Sequence, residues 1–477
     1  MSETGPREAL HAVRVALTDT PAWLVGGAPR DRTLGRETID LDIVVDASTE
    51  TAARAIARAA GGAACFELSE EFSGWRVVAR DRSWQVDVQP LRGGSLHADL
   101  ALRDFTVNAL AEPVADGGSI EDPLGGLADL AAGRLRMASV RAFADDPLRV
   151  LRLVRFALDL DLEPEPDTAD AARSAAPDLV GISGERTFME LRRILASPRV
   201  LEGLALMDAL GVTRAVLPEL DALRGVEQSR FHHRDVHGHT LEVLERTVAL
   251  QADPAVVLGT DELAEPVRAL LAEPLADELT RGDALRWGAL LHDAAKPLTG
   301  ATRADGRITF MGHDARGAEL ARAVLERLRA SERLRAHVAG LVRHHLRLGF
   351  LVHRPERPLA RRTVFDYLQA TAPVEVDVTL LSAADRLATR GDRAEESIDA
   401  HMCLVGPMLA AALDWRAHGP PAPFWRGDEL ADRLEIPTGP RLGEILRELA
   451  AAQYAGEVST REQAFTHARR FVRDGNV

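Results

Sequence analysis

The chain has 477 residues, enough for about three domains at ~150 residues each and for a large core that needs no disulfide or metal staple. Apolar residues at 46% and charged residues at 27% exclude a mainly disordered chain, and aromatics at only 4% leave the core to Leu, Val and Ala, which favours helices. The formal net charge of −15 argues against nucleic-acid binding by overall charge while allowing a local basic groove; Cys65 and Cys403, far apart and without metal-type spacing, exclude a disulfide framework and fit a reducing cytoplasm.

The opening run MSETGPREALHAVRVALTDT has no basic stretch followed by an apolar block, so no signal peptide is expected. No apolar run reaches the roughly 18 residues of a spanning helix. Residues 21–115 alternate strand-like and helix-like runs. AWLVGG (22–27), LDIVVD (41–46), WRVVAR (75–80) and WQVDVQPL (84–91) read as strands. TAARAIARAA (51–60) reads as a helix stopped by Gly61-Gly62. From about residue 125 strand signals nearly vanish. Helical periodicity runs through DDPLRVLRLVRFALDL, FMELRRILASP, HTLEVLERTVAL, RWGALLHDAA, AELARAVLERLRA and PVEVDVTLLSAADRLATR. Residues 251–282, acidic and carrying Pro254 and Pro266, are expected to be a loop-like insertion. AHGPPAPFW (417–425) reads as a linker before a last helical piece over roughly 427–475, and no repeat of fixed period is seen.

Asp40 and Asp42 are i and i+2 on a strand, so they share a face. Two neighbouring carboxylates repel unless a cation lies between them, and Mg²⁺ suits such a pair. Alone, the pattern is far more often a solvated strand edge. Close before it stands Gly26-Gly27-Ala28-Pro29-Arg30-Asp31 at a strand-to-helix transition, where backbone N–H groups and Arg30 can take a phosphate. Together they describe a nucleotidyl-transfer site, for which Asp87 is a candidate third carboxylate. Arg103 either pairs with Asp104 inside an apolar stretch or reaches a triphosphate. Asp146, Arg149, Arg152 and Arg155 step by three, as along one helix side, with Asp146-Pro147 a good helix start.

LVGGAPRD with IDLDIVV, DLALRDFTVNALA, EDPLGGLADL and DDPLRVLRLVRFA, in this order over residues 24–156, resemble the class II tRNA nucleotidyltransferase and poly(A) polymerase family. The resemblance implies an α+β fold: a nucleotidyltransferase head followed by helical neck, body and tail. It implies that Asp40 and Asp42 are catalytic and hold Mg²⁺, and that Gly27, Arg30 and Arg103 bind the phosphates and sugar of CTP or ATP. Asp146 and Arg149 resemble the pair that reads the base edge, and Arg152 and Arg155 match further nucleotide-binding arginines. GERTFMELRRIL and GDELADRLEIPTGPRLGEIL are similar to the family as well. Three departures stand out. Leu102 replaces one of a pair of arginines, Pro29 replaces a small aliphatic residue, and only LRGGSLHA (91–98) separates the Asp87 strand from Asp99. CCA-adding members have a longer loop there that helps switch from CTP to ATP.

In the second half His239, His292-Asp293 and Asp385 follow the order H…HD…D in helical runs, a ligand set that suits a divalent metal. His313 and His344-His345 are candidates for a second ion. Of the 58 basic residues only Lys296 is a lysine, three places after Asp293. The pattern resembles the HD phosphohydrolase superfamily and its HDxxK motif.

The expected organisation is a head over 1–135, a neck over 136–220, an HD domain over 221–400 and an RNA-binding tail over 401–477. The expected activity is two-metal, template-independent addition of CMP and AMP to the tRNA 3′ end, in the cytoplasm, with no membrane and no obligate protein partner. CC-adding, A-adding and poly(A)-adding enzymes are the alternatives within the family. An HD phosphohydrolase with a nucleotide-binding head is the alternative outside it. The short loop predicts a stop after CC.

Overall fold

The computed structural model describes residues 5–36, 38, 40–69, 73–115, 118–229 and 231–474. The chain divides into two compact units, Met1–Ile182 with Glu202–Val216 and Ser183–Leu201 with Leu217–Val477. The architecture is α+β: the sheet lies in the first unit, and the second is nearly all helix.

The sheet has six strands: β1 (Ala22–Val25), β2 (Asp40–Val45), β3 (Ala64–Ser69), β4 (Gly74–Val78), β5 (Gln85–Pro90) and β6 (Ala111–Pro113), in the order β3-β4-β5-β2-β1-β6. Within this sheet, among the described residues, only β2 and β5 run parallel, with Asp42 opposite Asp87. Strand alternation sorts β2 between two layers. Leu41, Ile43 and Val45 pack with Val86 and Val88 beneath α1 (Pro6–Ala16), together with Ala52, Ala53 and Ile56 of a later helix. Val44, on the face shared with Asp40 and Asp42, packs with Val25, Leu100, Ala109 and Ala111. Ile43 and Val86 are wholly buried, each contributing about 1.5–3 kcal/mol to holding the strand that carries the carboxylates. α2 (Gly27–Thr33) follows β1 directly, α3 (Thr49–Ala59) starts at a Ser48 cap on the Thr51 N–H, and α4 (Leu96–Ala101) starts at Ser95. The sequence shows no strand signal for the edge strand β3, because the side chains of residues 64–68 are half-buried or exposed and show no clean apolar face.

DDPLRVLRLVRFALDL is not one helix. Ala142–Asp145 ends at Asp146, whose backbone is extended (φ −152°, ψ 100°), and the long helix is Arg149–Leu160. Pro147 disfavours helical backbone at the residue before it. The Asp146 carboxylate instead accepts the Leu148 N–H at 3.2 Å.

In the second unit Val236–Ala252 packs against Arg281–Leu291 and Glu375–Ala388, and Arg281–Leu291 also against Glu332–His344. The expected loop at 251–282 is folded: helices Pro254–Leu258 and Ala264–Leu271, then a short hairpin, Pro274–Ala276 with Leu279–Thr280. Pro254 and Pro266 sit in first turns, where a missing N–H costs nothing. Ala264, Val267, Leu270 and Leu271 supply the buried stripe. The tail helices Gly427–Leu434, Pro440–Ala455 and Arg461–Asp474 share a core of Trp425, Leu430, Ile445 and Ala464.

One buried charge cluster ties the helical unit together. Arg281 donates from Nε to Asp377 Oδ1 at 3.2 Å and from Nη2 to Oδ2, while His337 Nε2 lies 3.5 Å from Oδ1. All three are buried. Burial pushes the Asp377 carboxyl up, but His337 and Arg281 hold it below its ordinary value. Asp377→Ala would leave the Arg281 guanidinium buried without its carboxylate. It should destabilise this unit by about 3–5 kcal/mol, read as a lower urea midpoint.

Candidate functional sites

The first site lies on the open face of β2. Asp40 is exposed and Asp42 half-buried, on the same side as Asp87. Asp87 takes a two-pronged hydrogen bond from Arg76 of β4, Nε to Oδ1 and Nη2 to Oδ2, both 2.7 Å. Burial pushes the Asp42 carboxyl up; Arg103 opposes this, while Asp87 and Asp40 add to it. A carboxylate that is costly to ionise beside two others is a natural seat for a divalent cation. The donor set therefore fits the expected metal.

Gly26, the first glycine of the expected phosphate turn, makes the approach possible. Its φ of +77° suits glycine, and a Cβ there would stand 3.2 Å from both Arg103 Nη1 and Asp42 Oδ2. Gly27 opens α2, and Arg30, one turn on, is buried. Arg30 donates to the Asn108 side-chain carbonyl and, from Nε, to Asp31 at 2.8 Å. Its guanidinium lies 5.5 Å from the centre of the Phe156 ring, as do those of Arg152 at 5.6 Å and Arg155 at 4.0 Å. Phe156, read from sequence only as a helix residue, thus gathers three of the expected nucleotide-binding arginines.

The ion pairs differ from those foreseen. Arg103 pairs with buried Asp99 at 3.1 Å, not with Asp104. Asp104 instead accepts from Arg152 Nε at 2.8 Å, from Asn108 Nδ2 at 3.0 Å and from the Phe105 N–H at 2.8 Å. Burial raises the Asp104 carboxyl, and Arg152, Asn108 and Phe105 more than reverse it. Asp146 is not on the helix side with Arg149, as described above. Arg149 reaches back to three backbone carbonyls, Leu102 at 2.7 Å, Ala142 at 3.1 Å and Arg103 at 3.2 Å.

Residues 91–98 form a closed turn. Arg92 donates from its backbone N–H and from Nε to Asp99 Oδ1, at 3.3 and 2.8 Å. Gly93 and Gly94 have φ of +66° and +74°, and a Cβ on Gly93 would lie 2.7 Å from that of Ala98. Ser95 then caps α4 through the Ala98 N–H.

The second site is a histidine–carboxylate cluster in the helical unit. His239, His292 and Asp293 place ligand atoms within 4.8 Å of one another, and so do Asp293, His313 and His345. Asp293 belongs to both sets: Oδ2 lies 3.1 Å from His292 Nε2, and Oδ1 lies 3.4 Å from His313 Nε2. Asp385 joins through His239 Nε2 at 3.0 Å. The Nδ1 atoms of His292, His313 and His345 face the carbonyls of Ala289, Phe310 and Val342 at 2.6–2.8 Å, each three residues earlier. Those bonds fix the tautomer and turn Nε2 inward as a ligand. Burial pushes His345 down to about 4, so its ring is neutral and ready to bind metal. Burial raises the Asp293 carboxyl, but His292, Lys296 and His239 hold it well below the usual range. Lys296 Nζ reaches Asp293 at 2.6 Å and Gln228 Oε1 at 2.6 Å. His344 is turned aside to Arg347. His232, missed by the sequence reading, packs edge-on to His239 at 5.0 Å between centroids.

Three family descriptions match in sequence: "Poly A polymerase head domain" over residues 22–136, "Probable RNA and SrmB- binding site of polymerase A" over 161–224, and "HD domain" over 236–390. The A-adding tRNA nucleotidyltransferase of Deinococcus radiodurans is 36% identical, over 95% of this chain and 96% of its own. The CC-adding tRNA nucleotidyltransferase of Geobacter sulfurreducens is 34% identical, over 93% and 90%. The fold is that of the Thermotoga maritima CCA-adding enzyme solved in complex with tRNA, at a TM-score of 0.61 and 18% identity over 99% of this chain and 97% of that one. Identity above one third, sustained from end to end of a relative of the same length, places this chain in the tRNA nucleotidyltransferase family.

Proposed function

We propose that this protein adds CMP, and not AMP, to the 3′ end of tRNA. The observation that carries the stop after CC, against completion of CCA, is the closed turn at 91–98, pinned to Asp99 by Arg92. A change from CTP to ATP needs an element that moves and reshapes the base pocket. Eight residues folded back through Gly93-Gly94 leave no free lever.

Asp40 and Asp42 would hold Mg²⁺, whose charge favours the deprotonated tRNA 3′-hydroxyl and offsets the departing pyrophosphate. Arg30, Arg152 and Arg155, gathered at Phe156, orient the triphosphate for in-line attack. No covalent enzyme intermediate is required. Arg149 has five N–H donors and three backbone contacts, so two donors are left to read a base edge alongside Asp146. The tRNA is gripped by its phosphates and shape. Free cysteines and the lack, among the described residues, of any helix long and apolar enough to cross a membrane support work in the cytoplasm. In the helical unit His239, His292, Asp293 and Asp385 would hold a divalent metal and His313 and His345 complete a second set, for hydrolysis of phosphate esters at RNA ends.

The test is product length. Transcripts ending before CCA, at -C and at -CC are given CTP, ATP or both. CC addition to the first and no extension of -CC by ATP support the proposal. A second reading, addition of the terminal A alone, is favoured by the 36% identity to an A-adding enzyme; it requires the opposite pattern. Arg149→Ala checks the base-reading role: misincorporation of UMP or GMP should rise about tenfold. A fall in rate at unchanged selectivity would make Arg149 only the clamp on the Leu102 and Arg103 carbonyls.

A further inference from the structure

The metal cluster forms the floor of a cleft of about 420 Å³. Gln228, Ser229, Ile308 and Thr309 line this cleft and also a second, larger one of about 710 Å³. The second lies on the hairpin formed by Ala301–Thr302 and Ile308–Thr309, whose turn carries the exposed arginines Arg303 and Arg307. A phosphate monoester needs only the first cleft. The hairpin cleft gives the site room for more than one nucleotide.

Its rim has a composition that surfaces normally avoid. Met311 is 76% exposed and Phe350 65% exposed, and both line the metal cleft; Phe231, 42% exposed, lines the hairpin cleft. Scattered apolar side chains on a surface need no explanation, but several around one mouth mark a binding face. Interleaved with Arg303, Arg307 and Arg386, they make the pairing that single-stranded nucleic acids select: rings for the bases and guanidinium groups for the backbone. The carboxylates on the same walls are Asp305, 3.9 Å from Arg307, and Asp314, with Asp293 and Asp385 of the cluster itself on the floor. Outside the cluster itself three arginines face two carboxylates, so the outer walls are locally basic in a chain of net charge −15.

We propose that Phe350, Met311 and the Arg303–Arg307 hairpin form a platform for the unpaired nucleotides next to the phosphate that the metal cluster hydrolyses. The ligand class is a single-stranded polynucleotide with a phosphorylated end, in preference to a free mononucleotide. This rests on the phosphate-ester reading of the cluster.

The experiment compares full-length wild type, R303A/R307A and F350A, all changed at exposed positions, with a divalent metal present. The substrates are p-nitrophenyl phosphate and pentauridylates ending in a 3′-phosphate, a 2′,3′-cyclic phosphate or a 5′-phosphate. For the preferred pentanucleotide KM should rise about tenfold in each variant, while CMP addition stays unchanged in both and p-nitrophenyl phosphate hydrolysis stays unchanged in R303A/R307A, whose arginines line only the hairpin cleft. An unchanged KM overturns the platform. If wild type hydrolyses none of the substrates, the phosphate-ester reading fails by itself. The platform is then judged by anisotropy of a fluorescein-labelled 3′-phosphorylated pentauridylate, with tRNA ending in CCA saturating the transferase site. A tenfold loss of affinity in the variants supports it, and equal affinity, or displacement by an apolar peptide and not by unlabelled oligonucleotide, overturns it.

Discussion

Replacing Asp42 or Asp40 by alanine should slow CMP addition about a thousandfold, about 4 kcal/mol of transition-state stabilisation. The fold should survive, because β2 is held by Leu41, Ile43 and Val45 on the opposite face and by its pairing with β1 and β5. For Asp42 the stability effect has a definite sign. Burial, with Asp87 and Asp40 alongside, raises its carboxyl above the unfolded value despite Arg103. A raised carboxyl contributes stability only while protonated, and the contribution is lost as pH rises through the folded value. At neutral pH the ionised group therefore weighs against folding unless a cation is bound. Without Mg²⁺ the Asp42→Ala midpoint should equal or exceed that of wild type; added Mg²⁺ should raise the wild-type midpoint and leave the variant where it was. Wild-type rates in either variant at saturating Mg²⁺ would remove both carboxylates from the mechanism.

The face that carries these carboxylates was legible because a strand alternates. LDIVVD fixes which side is buried, and Asp40 and Asp42 then fall together on the other. The glycine turn before α2 was legible for a similar reason: one short segment sets its own backbone. Partner choice among arginines was not. Arg103 goes to Asp99 and Arg152 to Asp104 because the packing of residues 96–108 against the helix at 149–160 decides which guanidinium reaches which carboxylate. Spacing by three placed Asp146 on that helix, but Pro147 takes it off. Phe156 is one apolar residue among many until Arg30, far away in the chain, is seen over its ring. In the helical unit the order of histidines and aspartates was enough to find the cluster. The choice between His344 and His345 depended on where the helix Glu332–His344 ends, which puts His345 inside and His344 beside Arg347.

That inner placement leads to the second large effect. Asp293 lies in both ligand sets, whereas His345 lies in only one. Asp293→Asn should therefore strip all divalent metal from the helical unit and lower phosphate-ester hydrolysis about a thousandfold. His345→Ala should leave the His239–His292–Asp293 set and keep part of the metal. Asparagine is the better replacement at 293 because the Asp293 side chain is buried. It keeps a carbonyl for Lys296, whose only other polar contact described here is Gln228 at 2.6 Å. Alanine would strand the ammonium and confuse loss of metal with loss of fold. Elemental analysis of the purified proteins reads the metal, and CMP addition serves as the internal control. The carboxylates of β2 would hold their own cation, so addition should be unchanged in both variants. Equal metal content in wild type and Asp293→Asn would show that the cluster is a packed set of charges, with Lys296 rather than a metal ion as the cation that Asp293 was placed to meet.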